Sequence, residues 1–275
     1  MGTFSVLNNI SGMFAQNNLM ISNQALQKTL FRLSSGSRIT NGGDDPGGLN
    51  LADGLKANIT ALSQSVRNTN DGVGKLQVAD GALSQVTNLL NRAVTLATEA
   101  GNGTLTGAAR LALDSEFTQI KNEIDRIGSL TQYNGSGIFN STVSIFITDG
   151  TSGGASTIAV NVSSLSQAGL SLNNLSLSGS TEVNAQNALT SISAAVATVA
   201  NYRGAIGANM NRLQAAANVL NSQVQNTTAA EDAIRATDVA SDIVTLTRLS
   251  VLNQTGLSAL SQSNQRMQSV LSLLR

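Results

Sequence analysis

Residues 34–53 read SSGSRITNGGDDPGGLNLAD. Two glycine pairs flank Asp44 and Asp45, beside Pro46, the only proline of the chain. Such a stretch could cradle a phosphate, hold a cation or turn the chain between helices. A phosphate loop of the Walker type needs Lys and Ser/Thr directly after its second glycine, to reach phosphate and magnesium. Here Leu49 and Asn50 follow Gly48. A calcium loop spaces acidic residues at alternate positions and closes on a Glu. Asp44 and Asp45 are adjacent, and no Glu follows nearby. The residues fit a helix break and restart instead. Leu33 would end one helix, the glycines permit positive φ, Asp45 would be an N-cap, and Pro46 would take the first helical position.

The remaining candidates for chemistry are few. Glu231-Asp232 and Asp238/Asp242 could be read as acid/base pairs. Near a helix start they read more simply as dipole-complementing caps. Ser34 and Ser35 have no histidine to serve as base, because the chain contains none. Without His or Cys, the commonest zinc ligands, thiolate chemistry and disulfides are excluded. Arg203 sits on an apolar helical stripe and is expected to pair with a carboxylate or reach solvent. No catalytic residue, cofactor or metal is expected. Lys+Arg and Asp+Glu are both 16, which removes the electrostatic case for nucleic acid or an anionic membrane as partner. The first residues lack the basic and apolar regions of a secretory signal, and no apolar run is long enough to span a membrane.

The elements that would position these residues are mostly helices. Leu189, Ile192, Val196, Val199, Arg203, Ile206, Met210, Leu213, Ala217, Leu220 and Val224 alternate spacings of three and four, a heptad seam predicting a helix over about 184–226. Leu55, Leu62, Thr69, Leu76, Leu83, Leu90 and Ala97 recur every seven residues. Ile59, Val66, Val73 and Val94 fill alternate positions that Asp80 and Thr87 interrupt. A third helix carries Leu113, Phe117, Ile120, Ile124 and Ile127. Between about 131 and 181 the period changes to two, at Val143, Ile145, Ile147 and at Ile158, Val160, Val162. That predicts a β-hairpin, followed by an irregular Ser/Leu/Asn-rich stretch. The fold class is mainly α, a long antiparallel helical bundle or coiled coil with a small β-hairpin region.

The two ends mirror each other. Leu7, Ile10, Phe14, Ile21, Leu26, Leu30 and Leu33 form an N-terminal seam. Ile243, Leu246, Leu257, Leu260, Met267, Leu271 and Leu274 form a C-terminal one. Neither seam offsets the entropy of ordering its helix alone, so both termini are expected to order on packing with other copies.

The blocks LFRLSSGSRITNGGDDPGGLNLAD, VRNTNDGVGKLQVADGALSQVTNLLNR, NEIDRIGSLTQYNG, YRGAIGANMNRLQAAANVL, IRATDVASDIVTLTR and VLSLLR closely resemble the conserved ends of bacterial flagellin. The similarity covers about residues 1–140 and 184–275, in order. It implies a short flagellin without large outer domains, a homopolymer forming the extracellular filament that drives swimming. Residues 1–42 and 236–275 would form an inner coiled-coil tube, and 43–235 an outer helical layer. Gly42, Gly43, Asp44, Asp45 and Pro46 would be the spoke joining the two. Export without a cleaved signal peptide, an export chaperone, a cap and hook-junction proteins are implied as well. A Toll-like innate immune receptor is a further implied partner, through Arg92, Leu96 and Glu116. Val94 and Thr95 stand where the family carries a charged pair. The alternatives weighed are a hook–filament junction adapter and a surface binding protein using the loops at 148–156 and 163–180.

Overall fold

A computed structural model describes residues 9–151, 153 and 156–273, without the side chains of Val270, Leu271 and Leu273. Leu7 and Leu274 of the two terminal seams therefore lie outside the described residues, as does the side chain of Leu271. Five helices stand among those described: α1 (Ile10–Ser35), α2 (Pro46–Ala100), α3 (Gly107–Leu130), α4 (Val183–Arg235) and α5 (Val239–Leu273). Two antiparallel hairpins lie between α3 and α4. They are β1 (Gln132–Tyr133) with β2 (Ser136–Gly137), and β3 (Ser141–Ile147) with β4 (Ser156–Val162). The mainly helical fold with a small hairpin region follows the expected class. Two helices run further than their periodicity predicted. α1 continues past Leu33 to Ser35, and α4 past Asn226 to Arg235.

The chain divides into two compact units, Met1–Lys56 with Thr227–Arg275, and Ala57–Asn226. In the second unit α2 buries the predicted heptad from Leu62 on, with Leu62, Thr69, Leu76, Leu83, Leu90 and Ala97 at most 2% exposed, whereas Leu55 before it is only half-buried. The deeper companion stripe differs from the expected one. It is Ser65, Ala79, Val86, Ala93 and Ala100, with Gly72 in phase, each three residues after a heptad position. Ile59, Val66, Val73 and Val94 are only half-buried flanks. Small residues let a neighbour come close. The side chain of Ile145 occupies the space above Gly72, where an added Cβ would lie 2.5 Å from Cδ1. α4 returns antiparallel, burying Ile192, Val199, Ile206, Leu213, Ala217 and Leu220.

The hairpin alternates as predicted. Val143 pairs with Val160 and Ile145 with Ile158, all buried on one face. The Ser65 hydroxyl donates to the Thr148 carbonyl and accepts from the Thr148 N–H, both at 2.9 Å. The β1–β2 hairpin was not anticipated. Its two-residue turn is Asn134-Gly135, with φ of 49° and 75°, the backbone such a turn demands.

The stretch after β4 is irregular, yet it is packed. Leu165, Leu170, Leu172 and Leu177 are at most 3% exposed. Charged side chains of α3 hold its backbone in reverse order. Asp125 accepts from the Gln167 N–H at 2.7 Å, and Lys121 Nζ donates to the Leu175 carbonyl at 2.7 Å. Asp114 accepts from the Leu177 N–H at 2.6 Å, and Arg110 donates to the Ser180 carbonyl at 3.3 Å. Buried polar groups are thereby satisfied without a strand or helix.

Candidate functional site

The first unit carries the features with no internal explanation. α1 and α5 pack as an antiparallel pair. Asn9 bonds to Ser263 and Asn264, Leu19 lies over Gly256, and Asn23 bonds to Asn253. The face α1 turns toward α5 mixes small and polar residues with leucines: Gly12 and Thr29 are buried, and Leu19, Asn23, Leu26 and Leu33 are half-buried. The face turned away is apolar. Ile10, Met13, Phe14, Met20 and Ile21 are all more than half exposed. On α5, Ile243, Val244, Val251, Leu252 and Leu257 are exposed as well. Scattered apolar side chains on a surface are ordinary, but contiguous stripes mark contact surfaces.

The predicted terminal seams are thus divided. Leu26, Leu33, Leu246, Leu260 and Met267 are half-buried, whereas Ile10, Phe14, Ile21, Leu30, Ile243 and Leu257 are exposed. Polar Asn23 and Asn253 occupy the intrachain contact that hydropathy assigns to leucine. Polar residues in a helix–helix seam restrict its register at some expense of stability.

The glycine loop is a helix junction. Gly36 ends α1 in the left-handed region at φ 66°, which glycine adopts without a Cβ clash. Asp45 caps α2, its Oδ1 accepting from the Gly48 N–H at 2.9 Å, and Pro46 takes the first helical position. Gly42 and Gly43 form the turn between them. The α1–α2 and α4–α5 connections are stitched together. The Arg38 N–H donates to the Arg235 carbonyl at 2.7 Å, and the Thr237 N–H to the Gly36 carbonyl at 3.1 Å. The Arg38 guanidinium donates twice to the Ile234 carbonyl, at 3.0 and 3.2 Å, and lies 3.4 Å from Asp45 Oδ2. It thereby satisfies a carbonyl near the C-terminus of α4, where positive charge is favoured.

Asp44 ties the loop back to α1. Lys28 Nζ lies 2.6 Å from its Oδ1, and the Thr40 N–H and hydroxyl donate to Oδ2 at 3.2 and 3.0 Å. The Lys28 hydrogen bond first, then those from Thr40, hold this carboxyl well below the usual carboxylate range. Beside the junction lies an open groove of about 450 Å³, lined by Phe31, Ser35, Ser37, Ile39, Thr40, Asn41 and Arg235. It gathers no acid, base and nucleophile in a catalytic geometry.

Arg92, Leu96, Glu116 and Arg203 fall in the second unit, and the paired carboxylates in the first. Arg92 Nε lies 2.7 Å from Glu116 Oε1, on half-exposed side chains. Leu96 is fully buried and presents no surface for a partner. Arg203 pairs with Asp80, the expected carboxylate outcome, so the charged residue in the α4 stripe is partnered by the one that interrupts α2. Of the paired carboxylates, Glu231 is buried against Arg235 at 3.5 Å, and Asp238 accepts from the Ser241 N–H at 3.1 Å as an N-cap of α5. Arg110 was missed. It is 2% exposed and donates to the carbonyls of Ala100, Asn102 and Ser180. Nothing in its sequence context separates it from a surface arginine. Among the described residues no group of three or more His, Cys, Asp or Glu is placed to hold a metal ion, and no helix is long and apolar enough to cross a membrane.

Comparison with known proteins completes the picture. Residues 6–144 match the family described as "Bacterial flagellin N-terminal helical region", and residues 189–274 match "Bacterial flagellin C-terminal helical region". The chain is 35% identical to a flagellin of Halalkalibacterium halodurans, over 97% of this chain and 98% of that protein. It is 32% identical to the flagellar filament 30.7 kDa core protein of Treponema maltophilum, and 30% identical to a flagellin of Bacillus subtilis, with the same coverage. A crystal structure of Bacillus cereus flagellin is 31% identical and covers 60% of this chain and 94% of that one, with a TM-score of 0.48.

Proposed function

The chain belongs to the bacterial flagellin family, and from that premise we propose how its surfaces build the polymer. It is a structural subunit of the extracellular flagellar filament that serves motility. In our reading, residues 1–42 and 236–275 form the inner coiled-coil layer, residues 43–235 form the outer layer, and Gly42 to Pro46 is the spoke between them. The apolar side chains that α1 and α5 leave exposed meet neighbouring copies. Heterologous contacts that do not close on themselves produce a helical filament.

The observation that carries this reading is the division of α1. The side holding Leu19, Asn23 and Leu26 lies on α5, while Ile10, Phe14 and Ile21 stay more than half exposed in the described chain. Ile243 and Leu257 of α5 are exposed as well, and in our reading they too meet neighbouring copies. The half-buried Leu26, Leu33, Leu246, Leu260 and Met267 support the pair that presents these side chains.

The remaining roles are proposed on family membership. An export chaperone holds the C-terminal segment before secretion without a cleaved signal peptide, a cap protein folds arriving copies, and hook-junction proteins take the first ones. A Toll-like innate immune receptor would meet Arg92 and Glu116, with Leu96 holding the helix beneath them. The chain carries out no catalysis and needs no cofactor.

Seeded polymerisation tests the reading. Intact protein is expected to elongate added filament fragments, while a chain ending at Asp242 is not. Equal elongation by both would overturn it.

A further inference from the structure

Five methionines are present, and the chain has no Cys, His or Trp. Oxidation of an exposed side chain therefore falls mainly on thioethers. Met210 and Met267 are half-buried, and Met1 lies outside the described residues. Met13 and Met20 differ, at 65% and 54% exposed. They stand seven residues apart on α1, so they project within about 20° of each other round the helix. Phe14 and Ile21, each next in sequence to one of them, are also more than half exposed.

We propose that Met13 and Met20 form a peroxide-sensitive modification site that gates polymerisation, open in the unassembled chain and closed in the filament. The proposal rests on the assembly reading above, because that reading buries this face between copies. The chemistry is a two-electron oxygen transfer. The thioether sulfur attacks one oxygen of a hydroperoxide, an S–O bond forms and the O–O bond breaks. The transferred oxygen gives up its proton to the leaving oxygen, which departs as water when the peroxide is hydrogen peroxide. Sulfur is oxidised to the sulfoxide and the peroxide is reduced. A flexible apolar side chain becomes a polar one, placed where a neighbouring copy offers apolar surface. Burying such a group without a hydrogen-bond partner opposes association.

The test treats full-length protein with hydrogen peroxide in two states, unassembled and as seeded filaments. Peptide mass spectrometry then follows the sulfoxide at each methionine. Met13 and Met20 are expected to oxidise in the unassembled chain and to be protected in filaments. Oxidised protein should elongate seeds at least about tenfold more slowly, and methionine sulfoxide reductases should restore the rate. The M13L/M20L variant keeps the volume and removes the sulfur, so it should elongate equally before and after peroxide. Oxidised wild-type protein that elongates normally, or an M13L/M20L variant that peroxide blocks as strongly, would overturn the proposal. Equal oxidation in filaments and in free chains would overturn the assembly reading and the gate with it, a failure told apart by the protection data alone.

Discussion

Arg203 on α4 grips Asp80 on α2 with both ends of its fork, Nε 2.8 Å from Oδ1 and Nη2 3.2 Å from Oδ2. Two residues that each interrupt an apolar stripe thereby share one contact. The contact fits one offset of α2 against α4, and a register role for the pair is open to test. The pair is about one-third exposed, 38% on the arginine and 32% on the aspartate, so solvent screens much of its attraction.

Replacing Arg203 with Ala is accordingly expected to lower stability by about 1 kcal/mol, in keeping with a partly screened bidentate pair. The D80A/R203A double variant should lose less than the two single changes added together. Urea denaturation of the four proteins measures the coupling. A coupling of zero would remove the register role.

Arg110 should matter more. Its guanidinium is buried and satisfies three carbonyls, including that of Ala100, the last residue of α2. Arg110→Ala leaves those acceptors without a donor, and a loss of about 3 kcal/mol or more is expected. Arg110→Lys should recover little, because an ammonium cannot span three acceptors set out for a planar fork. The midpoint of chemical unfolding separates these cases.

Two glycines in helices should respond with opposite signs. A Cβ on Gly128 would lie 1.8 Å from the Leu165 carbonyl oxygen, whereas one on Gly81 meets nothing within 4 Å. Gly128→Ala is expected to destabilise by about 1–3 kcal/mol, displacing the segment that α3 holds. Gly81→Ala should stabilise by about 0.5–1 kcal/mol through helix propensity and a less flexible unfolded chain. Paired thermal melts read both.

Much of this was open to reading before any coordinates. The heptad of α2 from Leu62 to Ala97 appears as a buried line because a seven-residue leucine spacing is visible in hydropathy. Its companion stripe was misplaced because Ser65, Gly72 and Ala79 are small rather than apolar. Their role is to admit a neighbour, and hydropathy does not register that. The packed stretch containing Leu165 and Leu177 has no period, so only the side chains of α3 that hold its backbone reveal it. In the terminal helices periodicity found the apolar residues but not their direction. Ile10 and Phe14 point away from α5, while Asn23 and Asn253 face each other. A sequence alone does not say whether an apolar face packs within the chain or against another copy.

The acid response of the junction has a defined sign. The Asp44 carboxyl is held low by Lys28 and then by Thr40, so its folded value lies below the unfolded one near 3.8. Its contribution is present above that value and is lost as pH falls below it. Wild-type protein should therefore lose thermal stability between roughly pH 5 and pH 2 more steeply than the Asp44→Asn variant. Melting curves followed by circular dichroism across that window check the difference, and parallel curves would exclude Asp44 as its source.

The most direct test of the account substitutes the outward face alone. Phe14 and Leu257 are 66% and 53% exposed, so the F14Q/L257Q variant should fold with stability within about 1 kcal/mol of wild type. Seeded elongation of the two proteins is then compared by light scattering and electron microscopy. An unchanged melt with elongation reduced at least about tenfold is the predicted result. Filaments growing at the wild-type rate from the variant would contradict the claim that the outward faces of α1 and α5 join the copies.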